Sequence, residues 1–205
     1  MIAIIDYKAG NLTSVKRALD YLGLPNVITP DPDVIVKSER IIFPGVGNAE
    51  TAIPVLRERG IDSALKQAFV NGTPILGICL GTQIILSHSE EGNTQCLGII
   101  EGTVKKFVLK NPMCKIPHMG WNEIIVHSPH HVLKDISKGS QVYFVHSYYP
   151  QPAQESMVIA SCEYEITFPC AIGTKNLIAT QFHPEKSGLI GLSVLKNFAS
   201  WIPSC

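Results

Sequence analysis

Pro74-Ile-Leu-Gly-Ile-Cys-Leu-Gly-Thr-Gln83 decides the fold. The apolar run up to Ile78 reads as a buried strand, Cys79 stands between Gly77 and Gly81, and Thr82 to about His88 reads as a helix. Glycine, any residue, nucleophile, any residue, glycine between a strand and a helix is the spacing of a sharp turn that exposes one side chain. Its neighbours must be small because the chain doubles back. With cysteine in the exposed position, the turn predicts a thiol nucleophile whose thiolate is favoured by the following helix N-terminus. The same residues also describe a tight turn carrying a core cysteine. The choice between the two depends on whether the chain supplies a base, a group to orient it, and donors for an oxyanion.

Working back from Cys79, strand and helix alternate three times. Ile2–Ile5, Val27–Thr29 and Arg40–Phe43 are short apolar strands. Leu12, Val15, Ala18, Leu19 and Leu22 recur at helical spacing, with Asn11 as the cap and Gly23 as the stop. Val34–Ser38 reads as a connection, and further helices are expected over Thr51–Glu58 and Ile61–Val70. Short strands that are apolar on both faces and separated by helices predict a parallel sheet covered on both sides. Ligands of such sheets sit at the carboxyl ends of the strands. Asp6–Asn11, Pro44–Gly47 and Gly77–Gly81 all fall there.

Forward of Cys79 the pattern changes. Gly98–Phe107, Glu123–Val126, Val142–Val145, Met157–Cys162, Ile166–Ile172 and Leu177–Gln181 read as strands joined by turns. Val132–Ile136 is a possible helix, and Gly188–Trp201 closes the chain as one. This half is expected to add antiparallel strands at the sheet edge. The fold class is therefore α/β: one domain over 1–205, with an open, mostly parallel but mixed sheet and helices on both faces.

Composition limits the functions. Lys plus Arg and Asp plus Glu are equal at 17 each, so net charge offers no steering toward nucleic acid or a membrane surface. Met1–Asp6 reads as a first strand rather than a signal peptide, and no apolar run approaches the length of a membrane span. Six cysteines without Cys-x-x-Cys spacing do not form a disulfide scaffold; a reducing cytoplasm fits them and keeps Cys79 a thiol.

Seven histidines compete to be the base. His127, His130 and His131 surround a Ser-Pro turn without acidic or cysteine companions, so no metal site is expected. His88 lies on the helix after Cys79 and is expected at the surface. His183 ends the strand Leu177–Phe182, and Glu185 follows after Pro184, which restricts the backbone between them. An imidazole between a thiol and a carboxylate is a nucleophile–base–orienter set. His118 and His146 remain rivals, since partners in such a set are adjacent in space rather than in sequence.

Pro44-Gly-Val-Gly47, Gly77-Ile-Cys-Leu-Gly-Thr-Gln83 and Gln181-Phe-His-Pro-Glu-Lys-Ser187 together resemble the class I (triad) glutamine amidotransferases, which have a flavodoxin-like fold. Pro117–Asn122, Phe144–Tyr148 and the opening Asp6-Tyr7 with Gly10-Asn11 narrow the resemblance. They point to the glutaminase subunits that work beside a cyclase in histidine biosynthesis. The resemblance spans essentially the whole chain. It implies that Cys79 attacks the side-chain amide of L-glutamine, that His183 and Glu185 complete the triad, and that a glutamyl thioester is hydrolysed after ammonia leaves. It places the oxyanion hole at the backbone N–H of Leu80 and of Val46 or Gly47. It assigns the glutamine head group to Gln83 and Glu91, with His146, Ser147 and Tyr148 lining the pocket. It implies no cofactor and no metal. The implied partner is a (β/α)8-barrel cyclase subunit forming a heterodimer, which Trp121, Asn122, Tyr143 and Lys186 would meet. Lys8-Ala9 after Tyr7, Asn48-Ala49 after Gly47, and the tail Trp201–Cys205 depart from the family pattern. They miss the triad but leave room for a paralogue feeding ammonia to a sugar-modifying enzyme of surface polysaccharide synthesis. A cysteine hydrolase or peptidase on a similar scaffold and an inactive regulatory or scaffold subunit are the remaining alternatives.

Overall fold

The computed structural model describes residues 1–8 and 10–203. Its backbone is a sheet of nine strands in the order β2-β1-β3-β4-β13-β12-β11-β8-β9. The first four in chain order are β1 (Ile2–Ile5), β2 (Asn26–Thr29), β3 (Arg40–Gly45) and β4 (Ile75–Cys79). All four run parallel, as their largely apolar sequences predict. Period-two alternation assigns their side chains to two cores. Ile2, Ile4, Ile42, Leu76 and Ile78 face one side, beneath α1 (Leu12–Tyr21) and α6 (Gly188–Ser200). Ile5, Ile41, Phe43 and Ile75 face the other, beneath α2 (Pro32–Lys37), α3 (Ala49–Glu58) and α4 (Ile61–Val70).

The second half adds antiparallel strands to one side of the sheet as expected, but its last strand departs from that pattern. β13 (Leu177–Thr180) does not extend the edge. It pairs parallel with β4, with Thr180 opposite Ile78, and antiparallel with β12 (Ile166–Thr174). β11 (Val158–Tyr164), β8 (His118–Val126) and β9 (Gln141–His146) then continue outward antiparallel. A separate four-stranded sheet holds β10 (Tyr148–Pro152), β7 (Gly102–Lys106), β5 (His88–Ser89) and β6 (Thr94–Gln95). It covers the far side of the Cys79 turn.

Three local expectations need correction. Val34–Ser38 is not a connection but the body of α2, started by Asp31 accepting from Asp33 N–H with Pro32 at the first position. The helix after Cys79, α5, spans only Leu80–Ile84, so its dipole contributes little to a thiolate. Ile84, Ile85 and Leu86 are all fully buried, which no single helix face satisfies, and the chain leaves for β5. His88 consequently sits on β5, half-buried, its Nε2 bonded to Asn93 Oδ1 at 2.9 Å.

Candidate active site

Cys79 ends β4 with φ 54° and ψ −106°, a strained conformation for a residue with a Cβ. The packing shows why the turn must be this tight. A Cβ on Gly81 would lie 1.8 Å from the Phe43 carbonyl oxygen of the neighbouring strand, so only glycine lets the helix start against β3. The Cys79 side chain is thereby directed into a cavity of about 380 Å³ lined by Val46, Gly47, Leu80, Gln83, Glu91, Pro117, Val145, His146, Ser147 and Tyr148. Every residue that sequence assigned to the oxyanion hole or the glutamine pocket lines this one cavity. Leu80 opens α5, whose first N–H groups have no partner within the helix. Gly47, at φ 105°, supplies a backbone conformation that other residues rarely adopt. A larger groove of about 850 Å³ runs along β8 past Ile136 and Lys138, but it contains no cysteine or histidine.

Because β13 lies beside β4, His183 leaves its strand next to Cys79. His183 Nδ1 donates to Glu185 Oε1 at 2.8 Å, and both side chains are buried. Burial works against the imidazolium, but the Cys79 sulfur and then the Glu185 carboxylate outweigh it, so His183 is held above its ordinary range, at about 10. No hydrogen bond of regular geometry closes between His183 Nε2 and Cys79; Nε2 has no bonded partner, and Sγ lies 4.0 Å from the Val145 carbonyl.

The rival bases are occupied with each other. His146 Nδ1 lies 2.8 Å from the Tyr148 carbonyl, and His118 Nδ1 lies 3.0 Å from His146 Nε2. A carbonyl only accepts, so His146 carries its proton on Nδ1 and His118 donates to the free Nε2. Phe107, Phe144 and Phe168 surround the pair. Burial pushes His118 down to about 4, and burial, together with the neighbouring His118 and His183 rings, pushes His146 down to about 3. Both are neutral at pH 7. Folded rings that resist protonation bind fewer protons than unfolded ones, so their stabilisation is complete above about pH 6.5 and lost as pH falls toward 4. Unfolding by urea should therefore show a loss on the order of 5 kcal/mol between pH 7 and pH 4. His146→Gln should flatten that dependence; equal stability at the two pH values would contradict neutral burial.

Two residues in this region were not identified from sequence. Asn11 occupies the N-cap position of α1 in the left-handed region, but its side chain caps nothing. Its Nδ2 donates instead to Glu185 Oε1, helping to hold the carboxylate that orients His183. Gln181, fully buried, directs Nε2 at Cys79 Sγ from 3.7 Å. For Asn11 the signal was available: asparagine favours both caps and left-handed backbone, so its cap role was not compelled. For Gln181 there was none, because strand ends often carry a polar residue.

The pocket residues assigned from sequence differ in how free they are. Gln83 Nε2 is committed to the Tyr148 carbonyl and to Gln181 Oε1, both at 3.0 Å, which leaves its Oε1 to face the cavity. Glu91 is half-buried and accepts from Ala49 N–H at 3.1 Å; burial raises its carboxyl above the usual range. Trp121, Tyr143 and Lys186 cluster beside the His183 turn, whereas the Asn122 side chain donates to the Glu163 carbonyl at 2.9 Å and lines the groove along β8. Trp121 is about half exposed and meets Tyr143 edge-on at 6.0 Å, and Lys186 Nζ lies 5.9 Å from the Tyr143 ring. Met119 and Leu189 add exposed apolar surface. Among the described residues no group of three potential ligands could hold a metal ion, and no helix is long and apolar enough to cross a membrane.

A sequence-family model described as "Glutamine amidotransferase class-I" matches residues 3–200. The chain is 50% identical over 207 residues to "Imidazole glycerol phosphate synthase subunit HisH" of Nitratidesulfovibrio vulgaris (strain DSM 19637 / Miyazaki F), covering 98% of this chain and 97% of that protein. It is 46% identical to the protein of the same name from Geobacillus kaustophilus, covering 97% and 95%. Among solved structures, a "glutamine amidotransferase" superposes with a TM-score of 0.75 at 19% identity, covering 98% of this chain and all of that one. A chain from the structure of PurLQS from Thermotoga maritima gives 0.75 at 17%, covering 97% of each. At those identities the structural likeness speaks to the fold alone.

Proposed function

The chain belongs to the class-I glutamine amidotransferase family, and from that premise we propose that it is the glutaminase subunit of an imidazole glycerol phosphate synthase. It hydrolyses L-glutamine to L-glutamate and ammonia and passes the ammonia to a cyclase subunit. The observation that carries the chemistry is Cys79 at the wall of a cavity of amino-acid size, with His183, bonded to buried Glu185, leaving the neighbouring strand beside it.

In this reading His183, held above its ordinary range beside the sulfur, carries the thiol proton on Nε2 as Sγ attacks the amide carbon. Glu185, held by Asn11, stabilises the imidazolium and keeps its Nδ1–H in place. The tetrahedral oxyanion is received by the N–H of Leu80 and of Val46 or Gly47. The imidazolium then protonates the departing nitrogen, and ammonia leaves a glutamyl thioester. Water attacks the thioester carbon, giving its proton to His183, which returns it to the sulfur as glutamate departs. Every proton is accounted for between substrate, water and His183, so the hydrolysis needs no further cofactor. Gln83 Oε1 and Glu91 suit the substrate ammonium, and the segment His146–Tyr148 borders the same pocket.

Ammonia that reached water would be protonated and lost as a nucleophile. A (β/α)8-barrel cyclase in a heterodimer, docked over Trp121, Asn122, Tyr143 and Lys186, would receive it directly, in a reducing cytoplasm that keeps Cys79 a thiol. Residues 1–205 act here as one domain. A glutamine-like chloroketone tests the reading: it should label Cys79, and excess glutamine should block the label. A label elsewhere, or one glutamine fails to block, would overturn it.

A further inference from the structure

We propose that Gln181 is a further catalytic residue, whose side-chain amide donates an N–H to the Cys79 sulfur and stabilises it as a thiolate. The inference rests on the glutaminase reading of Cys79 and adds a group to its machinery. Gln181 follows β13, whose Thr180 is opposite Ile78 of β4, and this brings its amide to 3.7 Å from Sγ.

The orientation of that amide is fixed by a chain of bonds anchored on a main-chain carbonyl. The Tyr148 oxygen only accepts, so the Gln83 group 3.0 Å away from it is the NH2. The same NH2 lies 3.0 Å from Gln181, which must present its oxygen there. The NH2 of Gln181 is then the end that faces the sulfur. Reversing Gln181 would set donor against donor, and reversing Gln83 would set acceptor against acceptor, inside a buried pair in which Gln181 has no solvent exposure through which to relieve it.

An N–H aimed at a neutral thiol is a weak interaction, but toward a thiolate it becomes charge-assisted, and burial of Cys79 strengthens it further. The donor therefore acts differentially: it favours the sulfur after its proton has moved to His183. The other titratable groups about Cys79 are His183 and Tyr7, with Glu91, Tyr148 and neutral His146 lining the same cavity. Tyr7 packs below Gly45, its hydroxyl without a partner, and burial, with the Cys79 charge, makes it reluctant to ionise. The short α5 adds little, so a neutral amide beside the sulfur fills a role the helix dipole does not.

The test is the pH dependence of Cys79 alkylation by iodoacetamide, read by peptide mass mapping on the complex with its cyclase subunit. Gln181→Met keeps the volume and removes the donor. It should slow alkylation at pH 7 about tenfold while leaving the alkaline plateau within about twofold, and lower kcat for glutamine more than it changes KM. A profile superimposable on wild type would overturn the proposal; continued protection of Cys79 by glutamine would show that the glutaminase reading itself still stands. If Gln181→Met does not fold, the wild-type complex labelled with ¹⁵N-glutamine in this subunit decides. The Gln181 amide resonances should shift when Cys79 is replaced by alanine, and unchanged resonances would overturn the proposal.

Discussion

Replacing Cys79 by alanine is expected to reduce glutamine hydrolysis by about 10⁴-fold or more, because the variant has no atom that can form the thioester. Alanine keeps the Cβ, so the strained turn and the cavity beside Gly81 are retained, and the loss is chemical rather than structural. The control is built into the division of labour. With ammonium salt at alkaline pH supplying free ammonia, the complex with the cyclase should still form its product. Residual hydrolysis above about one hundredth of the wild-type rate would remove Cys79 from its assigned role. Loss of the ammonia-dependent reaction as well would mean that the substitution had disturbed the docked assembly.

The second large effect concerns the partner. The isolated chain should hydrolyse glutamine about 100-fold more slowly than the complex supplied with the cyclase's own ligand, within the range a misaligned general base costs. Among the described residues, three buried side-chain polar atoms lack partners: His183 Nε2, Glu185 Oε2 and the Tyr7 hydroxyl. No hydrogen bond of regular geometry joins Sγ to the His183 ring; Sγ lies 3.7 Å from Gln181 Nε2 and 4.0 Å from the Val145 carbonyl. Tyr143, in the cluster assigned to docking, accepts His183 N–H through its carbonyl at 2.9 Å, and its own N–H is held by Ser187 Oγ at 2.9 Å. A subunit seated on Tyr143 thus bears on the backbone of the base. Steady-state glutaminase assays with and without partner and ligand measure this directly; equal rates would sink the coupling.

Much of this was legible in the residues, for reasons that differ by element. The parallel half was plain because strands buried on both faces are apolar throughout, and period-two alternation sends Ile4 and Ile5 to opposite cores. The proposed triad could be suggested from sequence because a thiol at one strand end and His-Pro-Glu at another have few joint explanations. The position of β13 was not, since a strand's sequence reports how deeply it is buried and not which neighbour it pairs with. β10 escaped notice because Pro150 and Pro152 forgo ladder N–H groups; as an edge strand pairing only with β7, it tolerates them. α2 was missed because six residues give too little periodicity, although Asp31-Pro32 carried the start signal. The separate sheet beside the Cys79 turn rests on two-residue strands, too short for any pattern.

The seam between β4 and β13 also bears on how the protein comes into being. Gln181 and Cys79 touch across 102 residues of chain, so synthesis must pass well beyond the turn, through His183, before the nucleophile meets its base. A nascent chain carries only an ordinary thiol, and ammonia production begins with the last strand and the helix that locks it. Such distant pairings slow folding, since loop closure is paid before contacts are gained. In exchange, a truncated product of interrupted translation cannot waste glutamine.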